Sequence, residues 1–155
     1  MQFWLMKSEP TVYSLADLER DGRTAWEGVR NYQARNFMRD SMQPGDLVLF
    51  YHSNAEPSGA AGIARVACRA YPDHAAFDEK SGYYDQRSSP EKPLWFMIDV
   101  EFVAHFASVI ALETIKGDPA LEGIMVARRG MRLSIQPLSE EHFRHICKLG
   151  GVAVG

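Results

Sequence analysis

The clearest pattern along the chain is a period of two over residues 94–103. Leu94, Phe96, Ile98, Val100 and Phe102 fall on one face, and Trp95, Met97, Asp99 and Glu101 on the other. Alternation of this kind predicts a half-buried strand. Residues 62–70 repeat it, with Ala64, Val66 and Cys68 set against Arg65 and Arg69. Residues 2–7 form a short apolar run closed by Lys7-Ser8-Glu9-Pro10, a strand stopped by proline. Another strand is predicted over Asp46 to His52, after a Pro44-Gly45 turn, and a last one over Arg132 to Gln136, stopped by Pro137.

The helical signals are shorter. Ser14 and Asp17 form the pattern of a capping box, predicting a helix near 14–20. Phe37 and Met38 directed inward, with Arg35 and Arg39 on an i, i+4 ridge, predict an amphipathic helix through Met42. Two further helices are expected over 107–116, ended by Gly117, and over 139–149, ended by Gly150 and Gly151. Residues 73–93 carry no period and read as a surface loop bordering the site. Short strands with interspersed helices and no βαβ rhythm predict an α+β fold. It would be a curved mixed sheet of about five or six strands flanked by several short helices, in one domain spanning 1–155.

Composition and charge narrow the partner. The 155 residues are 46% hydrophobic, which suits a folded globule, and carry a net charge of -3. That balance argues against a general duplex binder, whose affinity comes from neutralising many phosphates. Positive charge is nevertheless clustered, at Arg20, Arg23, Arg30, Arg35 and Arg39 and again at Arg128, Arg129 and Arg132. The apolar run Phe3–Met6 is too short to span a membrane or to serve as a secretion signal. Cys68 and Cys147 form no CxxC pair. A soluble protein of a reducing compartment is therefore expected, cytoplasmic or, in a eukaryote, nuclear, with no membrane partner.

The chemistry concentrates in one turn-rich stretch, Trp26-Glu27-Gly28-Val29-Arg30-Asn31-Tyr32-Gln33-Ala34-Arg35-Asn36. Aromatic faces, amide edges and guanidinium forks are the groups that read a flat heteroaromatic ring beside a phosphate. Tyr51-His52-Ser53-Asn54 ends a predicted strand, where Ser53 and Asn54 would either pair with a base edge or form a turn. Lys7 and Ser8 end another strand and belong either to the same rim or to a solvated terminus. Trp95 stands on the polar phase of its strand, so another element covers it or it lines a pocket. There is no G-x-S-x-G elbow and no phosphate-binding glycine motif. His142 and His145 lie near Cys147, but no second cluster completes a metal site, so neither metal nor cofactor is expected.

Several blocks in order resemble the EVE domain family: residues 3–10, 26–36, 51–54 and 70–74, Trp95 with Asp99-Val100, and 132–138. The resemblance covers nearly the whole chain. It implies a PUA-like pseudobarrel related to the YTH readers of methylated adenine in RNA and to ASCH domains, in a family implicated in recognising modified cytosines. The expected function is a non-catalytic nucleic-acid reader, of DNA or RNA, that accepts an unstacked, modified cytosine. Trp26 and Trp95 would enclose the ring; Lys7, Ser8, Arg30, Asn31, Tyr32, His52, Ser53, Asn54, Ser134 and Gln136 complete the base site; Arg35, Arg39 and Arg132 would hold phosphates. The rival expectation is an ASCH-like amidohydrolase acting on acylated cytidine, with Lys7, Ser8 and Glu9 as its acting groups.

Overall fold

A computed structural model describes residues 1–154. Strand β1 (Phe3–Ser8) runs parallel to β3 (Leu47–His52), and the segment between them supplies the crossover that parallel pairing requires. It contains α1 (Leu15–Asp21), β2 (Arg23–Ala25) and α2 (Tyr32–Asn36), which continues into a π-helical turn, Phe37–Ser41. With β4 (Gly59–Val66), β7 (Asp99–Ala111) and β8 (Ile135–Leu138), these strands make one six-stranded sheet in the order β2-β7-β4-β3-β1-β8. All its pairings except β1–β3 are antiparallel. A small separate pair joins β5 (Tyr71–Pro72) to β6 (Phe96–Met97).

Both faces of the sheet are covered. Leu5, Leu49, Ile63 and Phe106 pack against Phe143 and Ile146 of α4 (Glu140–Leu149), the last helix. Met6, Val48 and Phe50 pack on the other face with Leu15 and Leu18 of α1 and with Met38. Phe3 through Met6 are therefore all buried, which is why β1 reads as a continuous apolar run rather than an alternation. The capping box forms as its sequence predicts: the Asp17 amide donates to Ser14 Oγ at 3.0 Å and the Ser14 amide to Asp17 Oδ2 at 2.8 Å. The curled mixed sheet with a few short helices is the α+β, PUA-like architecture. Among the described residues no helix is long and apolar enough to cross a membrane.

Several elements depart from expectation for identifiable reasons. Residues 107–111, expected as helix, continue β7, and only Leu112–Gly117 is helical (α3). Val109 and Ile110 favour a strand, and Ala111 and Ile110 pair with Gly59 and Ala60. The close approach of β4 and β7 depends on glycine: a Cβ on Gly62 would run into the Ala104 carbonyl oxygen. β4 itself begins at Gly59 and ends at Val66, leaving Cys68 outside. The strand expected over 94–103 is interrupted at Ile98, between β6 and β7. Pro137 lies within β8 rather than ending it, as an edge strand allows, because β8 is paired only with β1. The helix expected from Arg35 instead starts at Tyr32, inside the turn-rich stretch, capped by Asn31. It continues as the π-helical turn, and the expected Arg35–Arg39 ridge does not act as one unit, because Arg35 turns to the Leu94 carbonyl and Arg39 to Asp40.

Candidate functional site

Parallel pairing brings the ends of β1 and β3 to one rim, where the Ser53 amide donates to the Ser8 carbonyl at 3.0 Å. Beyond Ser8 the chain turns into α1, and β2 leads back beside it. A cavity of about 500 Å³ opens between the end of β1 and residues 24–30, within the size range of small-ligand sites. Lys7, Ser8, Trp26, Arg30 and Ser134 line it, so five of the sequence-nominated residues are brought together. The rest of the wall, which includes Glu9, Tyr13, Glu27, Gly28 and Tyr83, was not nominated as part of the base site.

The 26–30 loop is held from below. The Trp26 amide donates to the Ile98 carbonyl at 2.7 Å, continuing the line of β2 along β7, and Val29 is buried in the second core. Gly28 adopts φ +82, and a Cβ there would stand 2.5 Å from Tyr83 Cζ. Asp73, fully buried, binds the loop to the 73–93 segment: its Oδ2 accepts from the Gly28 amide at 2.8 Å and from Arg30 Nη1 at 3.0 Å, and its Oδ1 from the Ala75 amide at 2.9 Å. Arg30 also donates through Nε and Nη2 to the Tyr83 carbonyl and through Nη1 to the Val29 carbonyl. Its guanidinium is thus committed to the wall. The Trp26 ring meets Phe50 edge-on, with centroids 5.6 Å apart.

Trp95, expected to enclose a ring with Trp26, is covered instead, being 3% exposed. Tyr32 stacks on it at 4.9 Å, Arg30 and Arg35 lie within 5.9 Å of its centroid, and its indole N–H donates to Asp85 at 2.8 Å. Arg87 and that indole hold the Asp85 carboxyl well below the usual carboxylate range. Trp95 and Tyr32 therefore form a stack supporting Arg30 rather than the cavity wall. Asn31 caps α2, its Oδ1 accepting from the Ala34 amide at 3.0 Å.

His52 Nε2 accepts from the Leu15 amide at 3.1 Å, and burial, followed by His105, lowers the imidazole pKa. Asn54 takes φ 50 and donates to Glu9 Oε1 at 3.3 Å, at the edge of the site, while Ser53 serves through its backbone. Gln136 is fully buried opposite Leu5 of the first core. Its Nε2 donates to the Leu133 carbonyl, and its Oε1 is the one buried side-chain polar atom without a partner among the described residues. Arg35 donates to the Leu94 carbonyl and Arg39 pairs with Asp40, both away from the cavity. Arg132 lines a neighbouring groove.

Lys7 and Ser8 leave β1 on opposite faces. The Lys7 ammonium reaches the Met131 carbonyl at 3.3 Å and the Tyr51 ring at 6.0 Å, and burial lowers its pKa. Ser8 Oγ donates to the Tyr13 carbonyl at 2.6 Å. The lysine–hydroxyl–acid arrangement of the hydrolase expectation is therefore not assembled. The cavity lining combines the aromatics Tyr13, Trp26 and Tyr83 with Ser8, the acidic residues Glu9 and Glu27, and the cationic residues Lys7 and Arg30.

The EVE domain model matches residues 2–149. Thymocyte nuclear protein 1 of Gallus gallus is 42% identical over 94% of this chain and 67% of its own length. The structure of human THYN1 protein in complex with 5-methylcytosine-containing DNA superimposes with a TM-score of 0.89 at 37% identity, covering 99% of this chain and 100% of that one. A YTH domain from Zygosaccharomyces rouxii shares the fold at a TM-score of 0.53 and 16% identity, covering 99% of this chain and 88% of that domain.

Proposed function

This chain belongs to the EVE domain family, and from that premise we propose that it is a nucleic-acid reader, without catalysis, that takes an unstacked methylated cytosine into the cavity at the end of β1. The observation that carries the reading is the composition of that one cavity: Trp26 beside the acceptors Glu9, Glu27 and Ser8. Trp26 supplies a stacking surface. Carboxylates accept hydrogen bonds from the exocyclic amine of cytosine, a donor that thymine and uracil replace with an acceptor. Ser8 Oγ, already donating to Tyr13, is left as a further acceptor. The likeness to human THYN1, solved with 5-methylcytosine-containing DNA, supports methyl as the modification.

Magnitudes bound the selectivity. Burying a methyl is worth about 0.8 kcal/mol, roughly fourfold in affinity. A 5-carboxyl substituent would meet the charges of Glu9 and Glu27, whereas the Arg30 charge is already paired with Asp73 and the Lys7 ammonium is turned to the Met131 carbonyl, so the carboxyl form binds more weakly than the methyl form. Extruding a base from a duplex costs a few kcal/mol, so single strands are favoured. The test is fluorescence anisotropy with short single strands carrying one central cytosine, 5-methylcytosine, 5-carboxylcytosine or thymine. The order expected is methylcytosine, then cytosine, then the other two, and Trp26→Ala weakens the methylcytosine strand by about 1–3 kcal/mol. Equal affinity for all four strands, or an unaffected Trp26→Ala of native circular dichroism, contradicts the proposal.

A further inference from the structure

On the other side of Lys7 lies a second concavity, a groove of about 710 Å³ between α3 and the loop 126–132. Its lining carries Lys7, Lys116, Arg128, Arg129 and Arg132, and no carboxylate. In a chain of net charge -3 this is a local reversal of sign. None of these five cations forms an ion pair among the described residues, whereas most arginines elsewhere, Arg20, Arg23, Arg30 and Arg65 among them, are bound to a carboxylate. Arg128, Arg129 and Arg132 are at least partly exposed, and Lys7 is partly desolvated with only a carbonyl and the Tyr51 ring for company. Clustered cations without counter-charges are the footprint of a polyanion.

We propose that this groove is a sequence-blind phosphate track, holding the single strand that continues from the base in the adjoining cavity. The proposal rests on the reader function above. Lys7 lines both concavities, which lie on either side of the rim where the Lys7 amide donates to the Ser134 carbonyl at 2.8 Å, so a strand that crosses this rim passes from the cavity into the groove. That continuity favours a nucleic-acid strand over an anionic membrane. The track sets affinity and register, and the cavity reads the base.

The test compares the parent with the triple variant Arg128→Gln, Arg129→Gln, Arg132→Gln, whose changes lie on solvent-accessible side chains. Probes are the nucleoside 5-methyl-2′-deoxycytidine, single strands of increasing length with one central 5-methylcytosine or cytosine, and phosphatidylserine-containing vesicles. For the parent, affinity should rise with strand length. In the variant, the plot of log affinity against log salt should flatten by about 0.7 for each phosphate no longer held, which is about fivefold in affinity at 0.1 M relative to 1 M salt. Nucleoside affinity and the ratio of methylated to plain strand should not change. Unchanged strand affinity and salt slope in the variant overturn the track, as does a loss confined to vesicle binding. If the variant loses strand binding while the parent ignores methylation and Trp26→Ala has no effect, the track stands and the reader function falls.

Discussion

Asp73→Asn tests how the cavity wall is held. The native carboxylate is fully buried and accepts three hydrogen bonds, two at Oδ2 from Gly28 and Arg30 and one at Oδ1 from Ala75. Asparagine caps a helical turn about as well as aspartate, so the bond to Ala75 survives. The other oxygen becomes an NH₂ group pointed at two donors, and the partner of the Arg30 charge is lost. Losing one charge-assisted bond and leaving a buried donor unpaired costs about 2–4 kcal/mol. For a domain of this size that corresponds to a fall of roughly 5–15 °C in thermal midpoint. Thermal unfolding by circular dichroism measures it, with anisotropy of a methylcytosine strand as the second readout. Affinity should fall as well, because Gly28 and Arg30 form the wall beside Trp26. An unchanged midpoint and affinity would show that this carboxylate does not fix the loop.

Asn31→Asp should leave both melting temperature and affinity unchanged, since aspartate caps equally well and Asn31 does not line the cavity; a selective loss of affinity would return it to the base site. Gly28→Ala should weaken binding and lower the midpoint, because φ +82 disfavours a side chain and the new Cβ would displace Tyr83; an unchanged protein would refute that close approach. His52 is held below its ordinary value of 6.5, so its contribution to stability is full above that value and is lost as pH falls through it toward the folded one. Urea midpoints should therefore drop from pH 7.5 to pH 5 more in the parent than in His52→Gln. Equal drops would show that His52 is not the group responsible.

What the sequence disclosed and what it hid follow from one distinction. Elements specified by neighbours in the chain were legible: β1 from its apolar run, α1 from Ser14 and Asp17, and α4 from its start at Ser139 and its stop at Gly150 and Gly151. Elements specified across the sheet were not. Residues 107–111 continue a strand that β4 holds through Ile110 and Ala111, and the weak local signal of Val109 and Ile110 does not announce it by itself. The site divides in the same way. Lys7, Ser8, Trp26, Arg30 and Ser134 meet at one cavity, as segment ends on one rim can. Trp95 is hidden by Tyr32 and Asp85, which no period along its own strand could show. Asn31 and His52 answer to nearby backbone amides, an equally ordinary use of polar side chains. Glu9, Glu27 and Tyr83 enter the wall only because the crossover and the 73–93 segment fold over the end of β1.

Entry of a cytosine base into the cavity beside Trp26 is tested most directly by ¹H–¹⁵N NMR titration with a short single strand carrying one 5-methylcytosine. The three indole N–H groups are separate reporters: Trp4 is bound to Asp46, Trp95 to Asp85, and Trp26 lines the cavity. Shifts should concentrate at the Trp26 indole and the amides of Ser8, Gly28 and Ser134, with Trp4 and Trp95 little moved. Saturable binding that shifts Trp95 and leaves Trp26 and Ser8 in place would contradict base entry at this cavity.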